Sequence, residues 1–455
     1  MKCFAAFFLL LLWFAGCGHK TKHPGTAPNI IIIYADDLGY GDLGIYGGDI
    51  PTPHIDRIGR EGVRFTDFYV AGPVCTPSRF GLLTGSYPLR SKHKLWTALM
   101  PFDEGRIDTS ETTVADYLKR KNYSTALIGK WHLGSEAHTS PTDHGFDLFT
   151  GFTGGCIDFF THTYASVKED WYVDGKPTKE EGYATDLITG HAIQFLEKQR
   201  KSNKPFFLYL PYNAPHYGKS TRGEYPAHTL PLKEDTYQNH TIVNTLQAPE
   251  EYYQRFPHIA DPYRQAYAAM VSSLDDNIGK LTAYLEREGL LDKTMIWFIS
   301  DNGGYAESYF GHADNGPLRG QKGTLLEGGI RVPALLWWKN NIRPGQEITS
   351  PVANIDLVPT FAALLDFKED LPADQIDGVD ISDLLFSGET ADRVLIWQFK
   401  EQHAIRQGDW KLLNGAELYH LKSDTGEKRN LATEHPKILE KLKNRYKEIT
   451  AGISH

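Results

Sequence analysis

Four runs of unbroken apolar residues punctuate this chain, and each leads into polar side chains with chemistry to offer. Asn29-Ile30-Ile31-Ile32-Ile33-Tyr34 is continuously apolar and β-branched, the pattern of a strand buried on both faces, and Asp36-Asp37 follow it. Thr125-Ala126-Leu127-Ile128-Gly129 runs into Lys130, Phe206-Phe207-Leu208-Tyr209-Leu210 precedes His216, and Met295-Ile296-Trp297-Phe298-Ile299 precedes Asp301-Asn302. Open α/β sheets place ligands at the carboxyl ends of their strands, so this recurrence predicts one composite site. Helical patterns over 112–119, 184–200 and 263–288 alternate with these runs. The last carries Tyr263, Ala266, Tyr267, Met270, Leu274, Ile278, Leu281 and Leu285 as a single apolar stripe. The alternation predicts an α/β fold, a mainly parallel sheet flanked by helices.

Beyond a helix-like segment at 355–365 the texture changes. Short apolar runs at 394–399, 404–406, 410–413 and 418–421 are separated by turns such as Gln407-Gly408-Asp409 and Asn414-Gly415, and a charged helix spans 435–448. Asn-Gly between apolar runs is a hairpin signal. The pattern predicts a main domain over 29–370 and a smaller antiparallel α+β subdomain over 371–455.

The amino terminus carries Lys2, an apolar stretch from Phe4 to Trp13 too short to span a bilayer, and Phe14-Ala15-Gly16-Cys17. That ending resembles a bacterial lipobox, with Phe in place of the usual leading Leu. It implies a signal peptide at 1–16, lipid on the Cys17 thiol, a tether over 17–28 and export to a membrane-facing, periplasmic or cell-surface location. Plain secretion is the alternative. No later run reaches the ~18 apolar residues of a spanning helix. Of the four cysteines, Cys3 leaves with the signal and Cys17 takes lipid, so Cys75 and Cys156 remain. The net charge of −9 provides no basic surface for nucleic acid, so any anionic substrate must be held by local positive charge.

Pro73-Val74-Cys75-Thr76-Pro77-Ser78-Arg79-Phe80-Gly81-Leu82-Leu83-Thr84-Gly85 carries the most specific signal. Read locally, Thr76 can cap a helix that begins at Pro77, leaving Cys75 at its positive mouth, where an unmodified nucleophilic thiolate is one reading and a structural cysteine another. As a whole the run resembles the sulfatase signature, Cys-x-Pro-Ser-Arg followed by Leu-Thr-Gly. Gly129-Lys130-Trp131-His132-Leu133-Gly134 resembles a second signature of that family, and likeness continues through Glu327-Gly328-Gly329-Ile330-Arg331-Val332-Pro333 to Leu431. The style is closest to the N-acetylgalactosamine sulfatases and bacterial polysaccharide sulfatases.

The resemblance implies an alkaline-phosphatase-like fold, with 29–370 as the catalytic domain. It implies oxidation of Cys75 by a maturation enzyme to formylglycine (3-oxoalanine), an aldehyde whose hydrate attacks sulfate esters. It also implies one divalent cation, calcium ahead of magnesium, on Asp36, Asp37, Asp301, Asn302 and the modified Cys75; these hard oxygen donors suit either ion. Arg79 would hold the hydrate and the metal ligands, Lys130 a sulfate oxygen, and His132 the formylglycine. His216 would protonate the leaving oxygen, and Lys322 would bridge that oxygen and the sulfate. Asp158 and His162 sit where the group lines its sugar pocket, with turn stabilisation as the alternative role. Glu327 and Arg331 read as a structural pair.

These residues predict a lipid-anchored hydrolase acting on a sulfated glycan, with no nucleic-acid partner and no membrane contact beyond the lipid. Asp36, Asp37 and Asp301 carry three negative charges against five positive ones on a divalent cation, Arg79, Lys130 and Lys322, a net of +2 that suits a singly charged ester. One rival is a phosphate or phosphonate ester hydrolase of the alkaline phosphatase superfamily, although Asn302 stands after Asp301 where those sites use His with a zinc-type metal. The other is a non-catalytic glycan-binding lipoprotein in which Cys75 is never converted.

Overall fold

A computed structural model describes residues 27–453 apart from 94, 102, 136–138, 203, 238, 307–310 and 389–392. The expected signal peptide, Cys17 and most of the expected tether therefore lie outside the described residues. A ten-stranded sheet forms the body. In order across the sheet the strands are Gln346–Ile348, Val63–Phe65, Ala334–Trp338, Thr294–Ser300, Asn29–Ala35, Phe206–Pro211, Ser124–Lys130, Leu148–Phe152, Tyr172–Val173 and Lys176–Pro177. The five from Thr294–Ser300 to Leu148–Phe152 run parallel, as the alternation predicts.

The central strand Asn29–Ala35 shows why its sequence is apolar throughout. Ile31, Ile33 and Ala35 pack into a core with the helices Ala184–Gln199 and Pro262–Arg287, while Ile30, Ile32 and Tyr34 enter a second core on the other face. Each fully buried isoleucine contributes about 2 kcal/mol of transfer free energy. The long helix starts at Pro262, with Asp261 accepting from the Tyr263 amide as its cap. The helices Cys75–Thr84, Val114–Arg120 and Leu357–Leu364 cover the second face.

The C-terminal part is a separate four-stranded antiparallel sheet, Val394–Phe399, Gln402–Gln407, Trp410–Leu413 and Glu417–His420, packed by the helix Pro436–Ala451. Its first residues differ from the predicted boundary. Ile381, Leu384 and Leu385 bury themselves in the main body's second core, so the small domain's sheet begins at Val394 and the segment after 370 still belongs to the body. A three-stranded antiparallel sheet, Gly218–Thr221, Leu230–Tyr237 and His240–Leu246, is an element the periodicity did not indicate. Among the described residues no helix is long and apolar enough to cross a membrane.

Candidate active site

Four adjacent strands deliver the site at one level. Ala35 is in register with Ser300, and Tyr34 with Pro211, so Asp36, Asp301 and the segment after Pro211 leave the sheet together. The strand Ser124–Lys130 ends beside them, and there Gly129 has no room for a side chain, because a Cβ would lie 2.0 Å from the Pro211 carbonyl oxygen. Asp37 and His132 adopt left-handed backbone (φ 63° and 58°), a conformation that costs non-glycine residues energy and that clusters at functional sites.

The buried carboxylates and cations interlock. Lys130 Nζ donates to Asp36 Oδ2 at 2.7 Å, and Lys322 Nζ lies 2.7 Å from Asp37 Oδ1. Arg79, fully buried, donates from Nη2 to Asp301 Oδ2 at 2.8 Å and from Nη1 to the Lys130 carbonyl at 3.3 Å. Asn302 Nδ2 donates to Asp37 Oδ1 at 2.7 Å, and the Asp37 amide to Asp301 Oδ1 at 3.1 Å. Burial first, then the neighbouring Asp36, pushes the Asp301 carboxyl up to about 6. Burial opposes the charge on Lys322, but Asp37 and its neighbours hold the amine well above its ordinary value.

Ligand atoms of Asp36, Cys75 and Asp301 all lie within 4.8 Å of one another. Asp36 Oδ1 and Asn302 Oδ1 are buried without a hydrogen-bond partner. Open, hard oxygen donors in an Asp-rich buried cluster fit a divalent cation.

Cys75 opens the helix Cys75–Thr84. The local capping prediction fails here: Thr76 lies inside the helix, with its hydroxyl donating to the His132 carbonyl at 3.1 Å and accepting from the Leu99 amide at 3.1 Å. A tertiary contact outcompetes the cap, and in exchange it ties the Cys75 turn to His132. Burial raises the Cys75 thiol above its ordinary value despite Lys130 and Lys322, which disfavours an unmodified thiolate nucleophile. Cys75 and Cys156 are both free.

The two histidines present different nitrogens. His132 donates from Nε2 to the Leu99 carbonyl at 2.8 Å, leaving Nδ1 buried and without a partner. His216 donates from Nδ1 to the Tyr217 carbonyl at 2.7 Å, leaving Nε2 3.5 Å from Asp37 Oδ2. Burial, joined by Lys130 for His132 and by Lys322 for His216, holds both rings well below the usual imidazole value.

A family model described as Sulfatase matches residues 28–367. The chain belongs to the sulfatase family. It is similar to mouse N-acetylgalactosamine-6-sulfatase, with 31% identity over 408 residues covering 85% of this chain and 72% of that protein. Bovine arylsulfatase A is 31% identical over 425 residues, covering 85% and 74% respectively. The solved structure of Ps i-CgsB in complex with k-i-k-neocarrahexaose superposes with a TM-score of 0.82 at 32% identity, covering 94% of this chain and 93% of that one. The protein is a sulfuric ester hydrolase with the fold of its family, which generally uses a formylglycine and a divalent metal.

Within this sulfatase Asp158 and His162, read as sugar-pocket or turn residues, both have partners within the protein. Asp158 accepts from the Phe160 and Thr161 amides, from Ser220 Oγ at 2.5 Å and from Gln247 Nε2 at 2.8 Å. His162 lies 3.1 Å from the Gly182 carbonyl and packs on Trp171, ring centroids 4.7 Å apart. The cleft beside His132 is instead lined by Leu99, Thr153, Gly155, Tyr164, Lys168 and Asp170. Glu327 and Arg331 do pair, at 3.5 Å, and Glu327 also holds the buried Lys411 of the small domain at 2.8 Å.

Proposed function

We propose that the protein removes sulfate from a sulfated glycan, using calcium on Asp36, Asp37, Asp301 and Asn302 and a formylglycine made from Cys75 by a maturation enzyme. The observation that carries this reading is the convergence of Lys130 and Lys322 on the Asp36–Asp37 pair beside Cys75, with Arg79 beneath. When present, the cation and the formylglycine hydrate supply a nucleophilic oxygen and neutralise charge on the sulfate. The chain's own side chains do the rest. Arg79 fixes the carboxylates in place through its planar fork. Lys130 and Lys322 offer ammonium groups to the sulfate oxygens as negative charge develops there. His132, bound through Nε2, keeps Nδ1 as a proton acceptor facing the site. His216 serves the leaving side: the charge of a bound ester favours its protonated form, and Nε2 passes that proton to the bridging oxygen as the oxygen–sulfur bond breaks. Across a full cycle the elements of water divide, hydroxyl to sulfur and hydrogen to the sugar alcohol.

The likeness to Ps i-CgsB, solved with an oligosaccharide, and to an N-acetylgalactosamine sulfatase supports a sulfated carbohydrate as substrate. Export as a lipoprotein through Cys17 fits such a substrate, which is met outside the cytoplasm. Sulfate release from a panel of sulfated mono- and disaccharides, together with mass spectrometry of the Cys75 peptide from the native host, tests the proposal. The expected result is release that chelation abolishes and calcium restores, with an aldehyde at position 75. Preference for phosphate or phosphonate esters, or an intact thiol with no turnover, would overturn it.

A further inference from the structure

The strand leaving the His216 loop carries a buried cation that hydrolysis does not use. Lys219, three residues after His216 on Gly218–Thr221, is only 8% exposed. Its Nζ lies 5.4 Å from the ring centroid of Tyr217 and 5.9 Å from that of Tyr164. Among the described residues it has no hydrogen-bond acceptor and no carboxylate at ion-pair distance; the acidic groups that bear on it from further away are the Cys156 thiol and Asp235. Burial pushes the Cys156 thiol up to about 11, so that neighbour is neutral. Lysines are almost never buried without a partner, because the ammonium forfeits its hydration. Two aromatic faces recover only part of that cost. Burial lowers the Lys219 amine, in keeping with an uncompensated charge.

The bracket faces two places that matter. The Tyr217 ring packs on the catalytic His216, centroids 4.2 Å apart, and Tyr164 lines the cleft that opens on His132. Lys219 therefore sits one ring behind the cleft, between Tyr164 on its lining and the Tyr217 that packs on His216. A second cation, Lys168, lines the same cleft.

We propose that Lys219, held between Tyr164 and Tyr217, is a specificity subsite for a second anionic group of the substrate, borne on the sugar next to the sulfate under attack. This rests on the sulfated-glycan reading above. The anion supplies the counter-charge that the protein withholds, so the doubly charged substrate gains a charge-assisted contact that the singly charged one cannot make.

The test compares kcat/KM on a monosulfated disaccharide, the same disaccharide with a second sulfate, and one with a uronate in place of that second sulfate. The comparison is made for the wild type, Lys219→Met and Lys219→Arg, together with thermal unfolding of each. Preference for the doubly charged substrates should fall roughly 10- to 100-fold in Lys219→Met, mostly through KM, and be retained in Lys219→Arg. The two dianionic arms distinguish a sulfate partner from a carboxylate one. The methionine variant should unfold at the wild-type temperature or above, because an unpaired buried charge has been removed. An unchanged preference, or a lowered melting temperature with equal loss on every substrate, would overturn the proposal by making Lys219 irrelevant or merely structural. No sulfate release from any disaccharide by the wild type would instead overturn the parent reading, and this one with it.

Discussion

Lys411 ties the small domain to the loop that carries Lys322, and removing its charge should be among the most damaging single changes outside the active site. Its Nζ sits 2.8 Å from Glu327 Oε1 and 2.9 Å from Glu427 Oε1, with all three side chains fully buried. Tyr69 donates to the other Glu327 oxygen at 2.6 Å, and the Glu327 amide to Glu427 Oε2 at 2.7 Å. Lys411→Met keeps the volume and leaves two carboxylates buried against each other. Breaking a buried ion pair from one side costs about 3–5 kcal/mol. The Glu327 carboxyl points the same way: despite burial, Lys411, then Arg331 and Arg406, hold it well below its ordinary value.

Urea unfolding followed by tryptophan fluorescence at pH 7 measures the loss. Combining Lys411→Met with Glu327→Gln and Glu427→Gln should recover most of it, because neither carboxylate is then left charged without its lysine, and Arg331 and Arg406 keep Asp67. The pH dependence carries a sign of its own. In the wild type Glu327 is depressed, so its contribution is fully present above 4.5 and is lost as pH falls toward 2. Glu427, raised chiefly by burial, adds a shallower opposing slope above 4.5. In Lys411→Met both carboxyls are raised, so that variant should gain stability as pH falls from 7 toward 4.5. A loss below about 1 kcal/mol at pH 7, or a triple variant no more stable than the single one, would refute the reasoning.

Gly303→Ala should lower stability by about 1–3 kcal/mol and weaken divalent-cation binding in calorimetric titration, because a Cβ there would lie 1.7 Å from the Gly328 carbonyl oxygen, directly behind Asp301-Asn302. Gln402→Ala removes the bonds to the Leu325 amide (3.1 Å) and the Gly323 carbonyl (3.3 Å) that flank Lys322, so kcat should drop roughly 10- to 100-fold with the melting temperature little changed. Asp158→Asn, which weakens four accepted bonds, should cost about 1–3 kcal/mol in a melt; a raised KM with unchanged stability would return Asp158 to the sugar pocket.

The parallel strands were legible because burial on both faces forces a run such as Ile30 to Ile33, and polar side chains with chemistry to offer follow each run. The same logic brought Asp36, Asp37, Lys130, His216, Asp301 and Asn302 together. It failed where pairing, not composition, makes the element. Leu230–Tyr237 contains Pro231, Lys233, Glu234 and Asp235 and lies mostly exposed at an edge, its register set by the partner strand His240–Leu246. Val63–Phe65 has three residues and gives no period at all. Asp158 could not be placed because its decisive partners, Ser220 and Gln247, lie 62 and 89 positions away. The helix start at Cys75 was hidden for a related reason, since Thr76 gives its hydroxyl to a carbonyl 56 positions on.

A buried polar group with every valence filled has been paid for by the fold, whereas one left open persists only if something else compensates it. Asp158 and Asp170 are filled, by amides and side chains of their own neighbourhood. His132 keeps Nδ1 open, His216 turns Nε2 toward Asp37, and Asp36 and Asn302 each keep an oxygen open. These four residues surround the Cys75 helix mouth, where the family's chemistry requires a metal, a nucleophile and a leaving oxygen to be held. Lys219, with no ion pair among the described residues, lies one ring further out, past Tyr217. On the proposed reading, the open atoms at the reacting centre and the Lys219 ammonium beyond Tyr217 are both met by a substrate that carries negative charge at two places.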